Sequence, residues 1–198
     1  MRKVSLIIYE FDELTKDVQD DLIEKCDLTH IFEDDAQLYL DNKAEELEGI
    51  FKDVDISYSG FWSQGDGASF TCKSVNILNL ITEEAIRRGV KHGRLLTDNA
   101  IHNIIDDLEV SIYRHNYRYY HNCSVDVNSD YYGNKYRIGN AVADFIQQTV
   151  KEEHDKIANG IYKHLETLWY DTNEEENVKE FLRCFEYYED GKKYYDTP

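Results

Sequence analysis

The chain has 198 residues, enough for one domain, with 22 Lys+Arg against 40 Asp+Glu and a formal net charge of −18. That balance argues against affinity gained by neutralising nucleic-acid phosphates, and against a polybasic membrane anchor. A hydrophobic share of 41% and an aromatic share of 13% supply a core and exclude a disordered acidic tail.

In chain order, Val4–Tyr9 is a short β-rich run, and Asp12 is placed to cap a helix from Glu13 to about Lys25. A second acidic helix is expected from Asp34 to Lys52, with Leu38, Leu40, Leu47, Ile50 and Phe51 as its buried side. Asp53–Tyr58 and Ala68–Val75 read as strands. Asn76–Arg88 and Thr97–Asp106 read as short helices parted by Gly89 and Gly93. Glu109–Tyr113 and Tyr117–Val127 are rich in β-branched and aromatic residues and read as a strand pair. A long helix is predicted from about Ile138 to Trp169, with Val142, Phe145, Ile146, Val150, Ile157, Ile161, Leu165 and Leu168 on one side. Glu175–Phe185 reads as a short helix, and Tyr187–Tyr195 folds around the turn dipeptide Asp190-Gly191. The expected class is α+β: an antiparallel sheet of about four to six strands, acidic N-terminal helices and a long C-terminal helix, in one domain over residues 1–198.

Residues 1–58 carry 17 acids and 6 bases, net −11; residues 59–138 are neutral; residues 139–198 carry 14 acids and 7 bases, net −7. The charge is concentrated at the two ends. The apolar run near Met1 is too short for a signal peptide, and no stretch approaches the ~20 apolar residues of a membrane span. Cys26, Cys72, Cys123 and Cys184 lie far apart with no C-x-x-C pair, as expected of reduced thiols in a cytoplasmic protein. If the chain is phage-encoded, the expected place is the host cytoplasm.

The segment Ser57–Phe70 packs three glycines, Gly60, Gly65 and Gly67, among aromatic and short polar side chains between two strands. Glycine permits left-handed backbone and close approach, so Ser59, Gly60, Trp62, Ser63, Gln64, Gly65, Asp66, Gly67 and Ser69 could form a ligand-binding loop. The other reading is a rigid hairpin connection whose Ser and Asp side chains bond their own backbone. No lysine of a G-x-x-x-x-G-K-[ST] loop is present, nor a G-x-S-x-G elbow.

The run Tyr58-Ser-Gly-Phe-Trp-Ser-Gln-Gly-Asp-Gly-Ala-Ser-Phe70 resembles the signature of a family of small proteins, largely of phages and bacteria. Tyr9-Glu-Phe-Asp-Glu-Leu14 resembles that family's opening F-x-E-L element. Phe185-Glu-Tyr-Tyr-Glu-Asp-Gly-Lys192 resembles its closing element more loosely, with Cys184 where an Asn is usual. The family's loose label, antitoxin of a toxin–antitoxin stability system, is what the resemblance implies; it implies no catalytic residue.

The segment Tyr113–His121 is the one basic and aromatic patch, where Arg114, Arg118 and His121 could supply the positive charge that the glycine loop lacks. The alternative is a cross-strand ladder pairing Arg with carboxylates. His30, His92, His102, His115, His121, His154 and His164 include no H-x-x-x-H pair, so no metal site and no cofactor are expected. The first two helices carry Asp17, Asp20, Asp21, Glu24, Asp34, Asp35, Asp41 and Glu45, an anionic surface that could face a basic protein groove much as DNA does. A solubilising face is the other explanation. The reading that follows is a non-enzymatic phage-type accessory protein, an acidic inhibitor of a basic host or anti-phage defence protein, with no direct nucleic-acid or membrane binding. A nucleotide-binding protein or enzyme built on the glycine loop is the first alternative, and an antitoxin the second.

Overall fold

The structure, a computed structural model, describes residues 6–81, 108–114, 123–128 and 137–195. The expected helix over Thr97–Asp106, most of that over Asn76–Arg88, and residues 117–122 of the second predicted strand lie outside them. The α+β class is borne out, with the strands arranged as antiparallel pairs among the described residues. The chain divides into two compact units, one up to Gln37 and from Leu165 onward, the other from Leu38 to His164.

The first unit begins with strand β1 (Tyr9–Glu10) and a 3-10 turn, Phe11–Glu13, followed by helix α1 (Lys16–Lys25). The Glu13 carboxylate accepts the Glu10 amide at 3.0 Å, which satisfies one of the turn's open donors. Asp12 does not cap α1. Its carboxylate instead takes Arg183 Nε at 3.0 Å, and α1 starts three residues later than the pattern suggested, after Thr15. The Gln19 amide binds the Phe11 and Leu14 carbonyls at 3.1 and 3.0 Å, tying the turn to the helix.

Asp27 accepts the Thr29 amide at 2.9 Å and so opens helix α2 (Thr29–Leu47) five residues earlier than expected. It ends before Gly49, ahead of strand β2 (Phe51–Lys52). The buried side of α2 is Phe32, Ala36, Leu40 and Leu47. Leu38, expected among them, is 62% exposed, because two residues from Leu40 is about 200° around the helix.

The first unit closes with the end of helix α3 (Arg137–Thr172), helix α4 (Glu175–Leu182) and strand β8 (Glu186–Tyr187). Strand β8 pairs with β1 in the register Tyr9↔Tyr187 and is bridged on its other side to Lys193 through the Asp190-Gly191 turn. Phe11, Leu14, Leu28, Val178, Leu182 and Tyr187 form the core. The Tyr187 hydroxyl donates to the Leu182 carbonyl at 2.8 Å, and burial pushes its phenol up to about 12.

In the second unit, β2 pairs with β5 (Ser74–Val75), β3 (Asp55–Tyr58) with β4 (Ala68–Thr71), and β6 (Glu109–Arg114) with β7 (Cys123–Asn128). Cys72 and Ile112 exchange backbone hydrogen bonds of 3.0 and 3.1 Å, stitching the β3–β4 pair to the β6–β7 pair. Asn76 accepts the Asn79 amide at 3.0 Å, capping a helical turn over 77–81. The core is Phe51, Phe70, Cys72, Val75, Ile77, Leu80, Val110, Ile112, Cys123 and Val125, closed by Ile146 and Val150 of α3. Phe145, expected on the buried side, is 62% exposed: it lies one residue, about 100°, from Ile146 and on the far side from Val150.

Candidate functional site

The glycine-rich connection between β3 and β4 is a closed turn. Beyond the last ladder pair, Tyr58↔Ala68, the Ser59 amide donates to the Gly67 carbonyl at 3.0 Å. Inside the turn the Asp66 carboxylate accepts the Trp62 amide at 2.8 Å and the Ser63 amide at 2.6 Å on one oxygen, and the Ser59 hydroxyl at 3.2 Å on the other. The Gly67 amide donates back to the Ser59 hydroxyl oxygen at 3.3 Å. Led by the Ser63 amide, these donors hold the Asp66 carboxyl below the usual carboxylate range.

Phe61 pins the turn down. It is 8% exposed, with the Tyr58 and Tyr162 rings at 6.2 and 5.6 Å, and the Tyr162 hydroxyl donates to the Gly60 carbonyl at 3.3 Å. The Trp62 ring lies over Gly60, where a Cβ would meet its Cε3 at 3.3 Å, yet Trp62 as a whole is 69% exposed. Ser63 and Gln64 are exposed, Gly65 is half-buried, and Ser69 is fully buried at the base. Arg114 Nη2 donates to the Ser69 hydroxyl at 3.3 Å, so Arg114 does reach the base of the turn. Arg118 and His121 lie outside the described residues. Chemically the turn is bonded to itself and displays one indole. Its carboxylate is already occupied by its own amides.

The eight helical carboxylates proposed for a partner, Asp17, Asp20, Asp21, Glu24, Asp34, Asp35, Asp41 and Glu45, are all exposed. On α1 the first four recur at spacings of three, one and three, within an arc of about 100°. The opposite side of α1 carries Val18, Leu22 and Ile23, packed against the first unit's core. Lys16 pairs with Asp20 at 2.8 Å and Lys25 with Asp21 at 2.5 Å, both in open solvent. Asp17, Glu24, Asp34, Asp35 and Glu45 make no ion pair among the described residues. The C-terminal acids differ: Glu175 is held by Lys179 at 2.6 Å and Glu176 by Arg183 at 3.0 Å.

Sequence reasoning weighed His154 only as a metal ligand and missed its place in the second unit's core, where it is 1% exposed. The signal was present: the apolar stripe of α3 steps from Val150 to Ile157 across a position that also faces inward. Among the described residues no group of three or more His, Cys, Asp or Glu could hold a metal ion, and no helix is long and apolar enough to cross a membrane.

No curated protein and no solved structure matches the chain. A family model described as a domain of unknown function, DUF8835, matches residues 15–175, a span that takes in both the α1 carboxylate stripe and the Asp66 turn. The match covers most of the sequence, and the chain belongs to the DUF8835 family.

Proposed function

We propose that the protein is a non-enzymatic accessory protein that binds a basic partner through its N-terminal helices, as an inhibitor of a host or defence protein that itself handles nucleic acid. The observation that carries this reading is the α1 stripe, four exposed carboxylates on the side opposite the packed one. Seven residues of helix separate Asp17 from Glu24, about 10.5 Å of axis, or about 3.5 Å per carboxylate interval. A single DNA strand spaces its phosphates at about 3.4 Å along the axis. The intervals along α1 are uneven, about 4.5, 1.5 and 4.5 Å, so what the stripe offers a basic groove is a comparable density of anions along the axis and not a copy of the phosphate geometry. The lysines flanking the stripe do not cancel it, because exposed pairs contribute at most about 1 kcal/mol and exchange readily for a partner's cations.

The test is capture from host lysate on the immobilised chain, beside a D17N/D20N/D21N/E24Q variant, with duplex DNA added as competitor. A protein that binds the native chain, is lost on the variant and is displaced by DNA supports the reading. Equal capture by both chains, unaffected by DNA, refutes it.

A further inference from the structure

Among the described residues, two buried side-chain polar atoms lack a hydrogen-bond partner: Ser57 Oγ on β3 and Arg114 Nε at the end of β6. Both flank one hydroxyl, that of Ser69 on β4. Ser57 stands opposite Ser69 in the β3–β4 register, so the two side chains leave the same side of the sheet with Cβ atoms about 5 Å apart. The adjacent pair Ile56↔Phe70 turns the other way, into the core. From β6, which the Cys72–Ile112 bridge sets beside β4, Arg114 Nη2 donates to the Ser69 hydroxyl at 3.3 Å. Arg114 is therefore held in place, and what lacks an acceptor is its Nε hydrogen.

A buried polar atom left unpaired is costly, and folded proteins place a water, an ion or a ligand against it. The chemistry of these atoms narrows the choice. Arg114 Nε–H can only donate, and the guanidinium stays charged, so the guest is an acceptor and an anion is favoured. Nε and Nη2 form the edge with which arginine takes two oxygens of one oxyanion. The Ser69 hydroxyl accepts from Nη2 and still has its own hydrogen to give, as has Ser57 on the far side of it. One guanidinium edge satisfies a flat carboxylate. Donors arriving from three strands suit the diverging oxygens of a tetrahedral phosphoryl group.

We propose that Ser57, Ser69 and Arg114 form a binding site for a phosphoryl group, as inorganic phosphate or a phosphate monoester, at the base of the β3–β4 turn. Ser69 is fully buried, while Ser57 and Arg114 are half-buried and give the guest its approach from solvent. On binding, Arg114 Nε–H and the Ser57 hydroxyl each gain an acceptor, and the Ser69 hydroxyl adds a third donor. No covalent bond is made or broken. The site lies wholly within the second unit and does not depend on the carboxylate stripe of α1.

The test titrates the full chain and its Ser57→Ala variant with inorganic phosphate and, separately, with phenyl phosphate, in about 0.15 M salt to screen the net charge of −18. Melting temperature and the Arg114 Nε–H resonance are followed, the latter assigned by its loss in Arg114→Lys. Without ligand, Ser57→Ala should melt at or above the native temperature, because it removes a buried hydroxyl that has no partner. With ligand, the native chain should respond at a several-fold lower concentration than the variant, and its Arg114 Nε–H resonance should move. Phosphate also stabilises folded chains by exclusion from their surface, so the difference between the two chains is what counts. A stronger response to phenyl phosphate assigns a monoester and a stronger response to inorganic phosphate the free anion; either supports the site. Equal responses in both chains, or a resonance that ignores both ligands, leave water as the guest and overturn the proposal. A variant that melts well below the native chain without ligand overturns it too, since the hydroxyl then serves the fold.

Discussion

The Ser63 amide lies 2.6 Å from the Asp66 carboxylate oxygen that also accepts the Trp62 amide, so two successive N–H groups converge on one atom. This convergence sets the shape of the β3–β4 turn and the presentation of Trp62. Replacing Asp66 with Ala leaves both amides and the Ser59 hydroxyl without that acceptor. We expect proteases to cut within 60–66 several-fold faster in the variant, read by limited proteolysis and mass spectrometry. The carboxyl is held below its usual range, so the unfolded chain takes up the proton first. The contribution is therefore present above about pH 3.9 and lost as pH falls below it. Asp66→Asn should show a shallower fall in the urea midpoint between pH 5 and 3; an unchanged slope would contradict this account.

Tyr187 should be sensitive at the other end of the pH scale. Tyr187→Phe removes the 2.8 Å hydrogen bond to Leu182 and should cost about 1 kcal/mol of stability. A phenol raised to about 12 stays protonated in the fold after the unfolded chain has begun to ionise near 10. Stability thus falls as pH rises from about 10 towards 12, and the Phe variant should lose that dependence, as seen by tyrosinate absorbance alongside circular dichroism.

Gly191 is held at φ +81, and a Cβ there would sit 2.9 Å from Val18 Cγ1. An alanine incurs about 1–2 kcal/mol for the left-handed backbone, and the contact with α1 adds to it. The expected result is a lower melting temperature for Gly191→Ala; an unchanged one would show that the turn relaxes without strain.

Neutralising the α1 stripe should separate binding from folding. The D17N/D20N/D21N/E24Q variant keeps the apolar side of the helix intact, so its melting temperature at neutral pH should stay close to that of the native chain. A large loss would mean that these carboxylates serve the fold.

The thiols should react in order of exposure. Cys184 is exposed and Cys26 half-buried, while Cys72 is buried and its thiol is pushed up to about 11 by desolvation. With a thiol-reactive dye at pH 8, Cys184 should label first, and Cys72 and Cys123 only on unfolding. Fast labelling of Cys72 in the native chain would contradict its place in the core.

The sequence by itself determined the charge, the α+β class and the strongly periodic segments. Helical spacing around Leu22, Leu40 and Leu165, and alternation around Ile56 and Val125, are local signals that need no partner to be read. Which face of each element is buried depends on residues far away in the chain. Leu38 and Phe145 are apolar but face outward, because their helices bury stripes on the opposite side. Asp12 had the right chemistry and position for a cap, and it was claimed instead by Arg183, 171 residues later. His154 occupies a core position in which β4 brings the Phe70 carbonyl within 3.1 Å of its ring. Where the Asp66 carboxylate points also waited on three-dimensional contacts: the close antiparallel approach of β3 and β4 turns it towards the amides of its own loop.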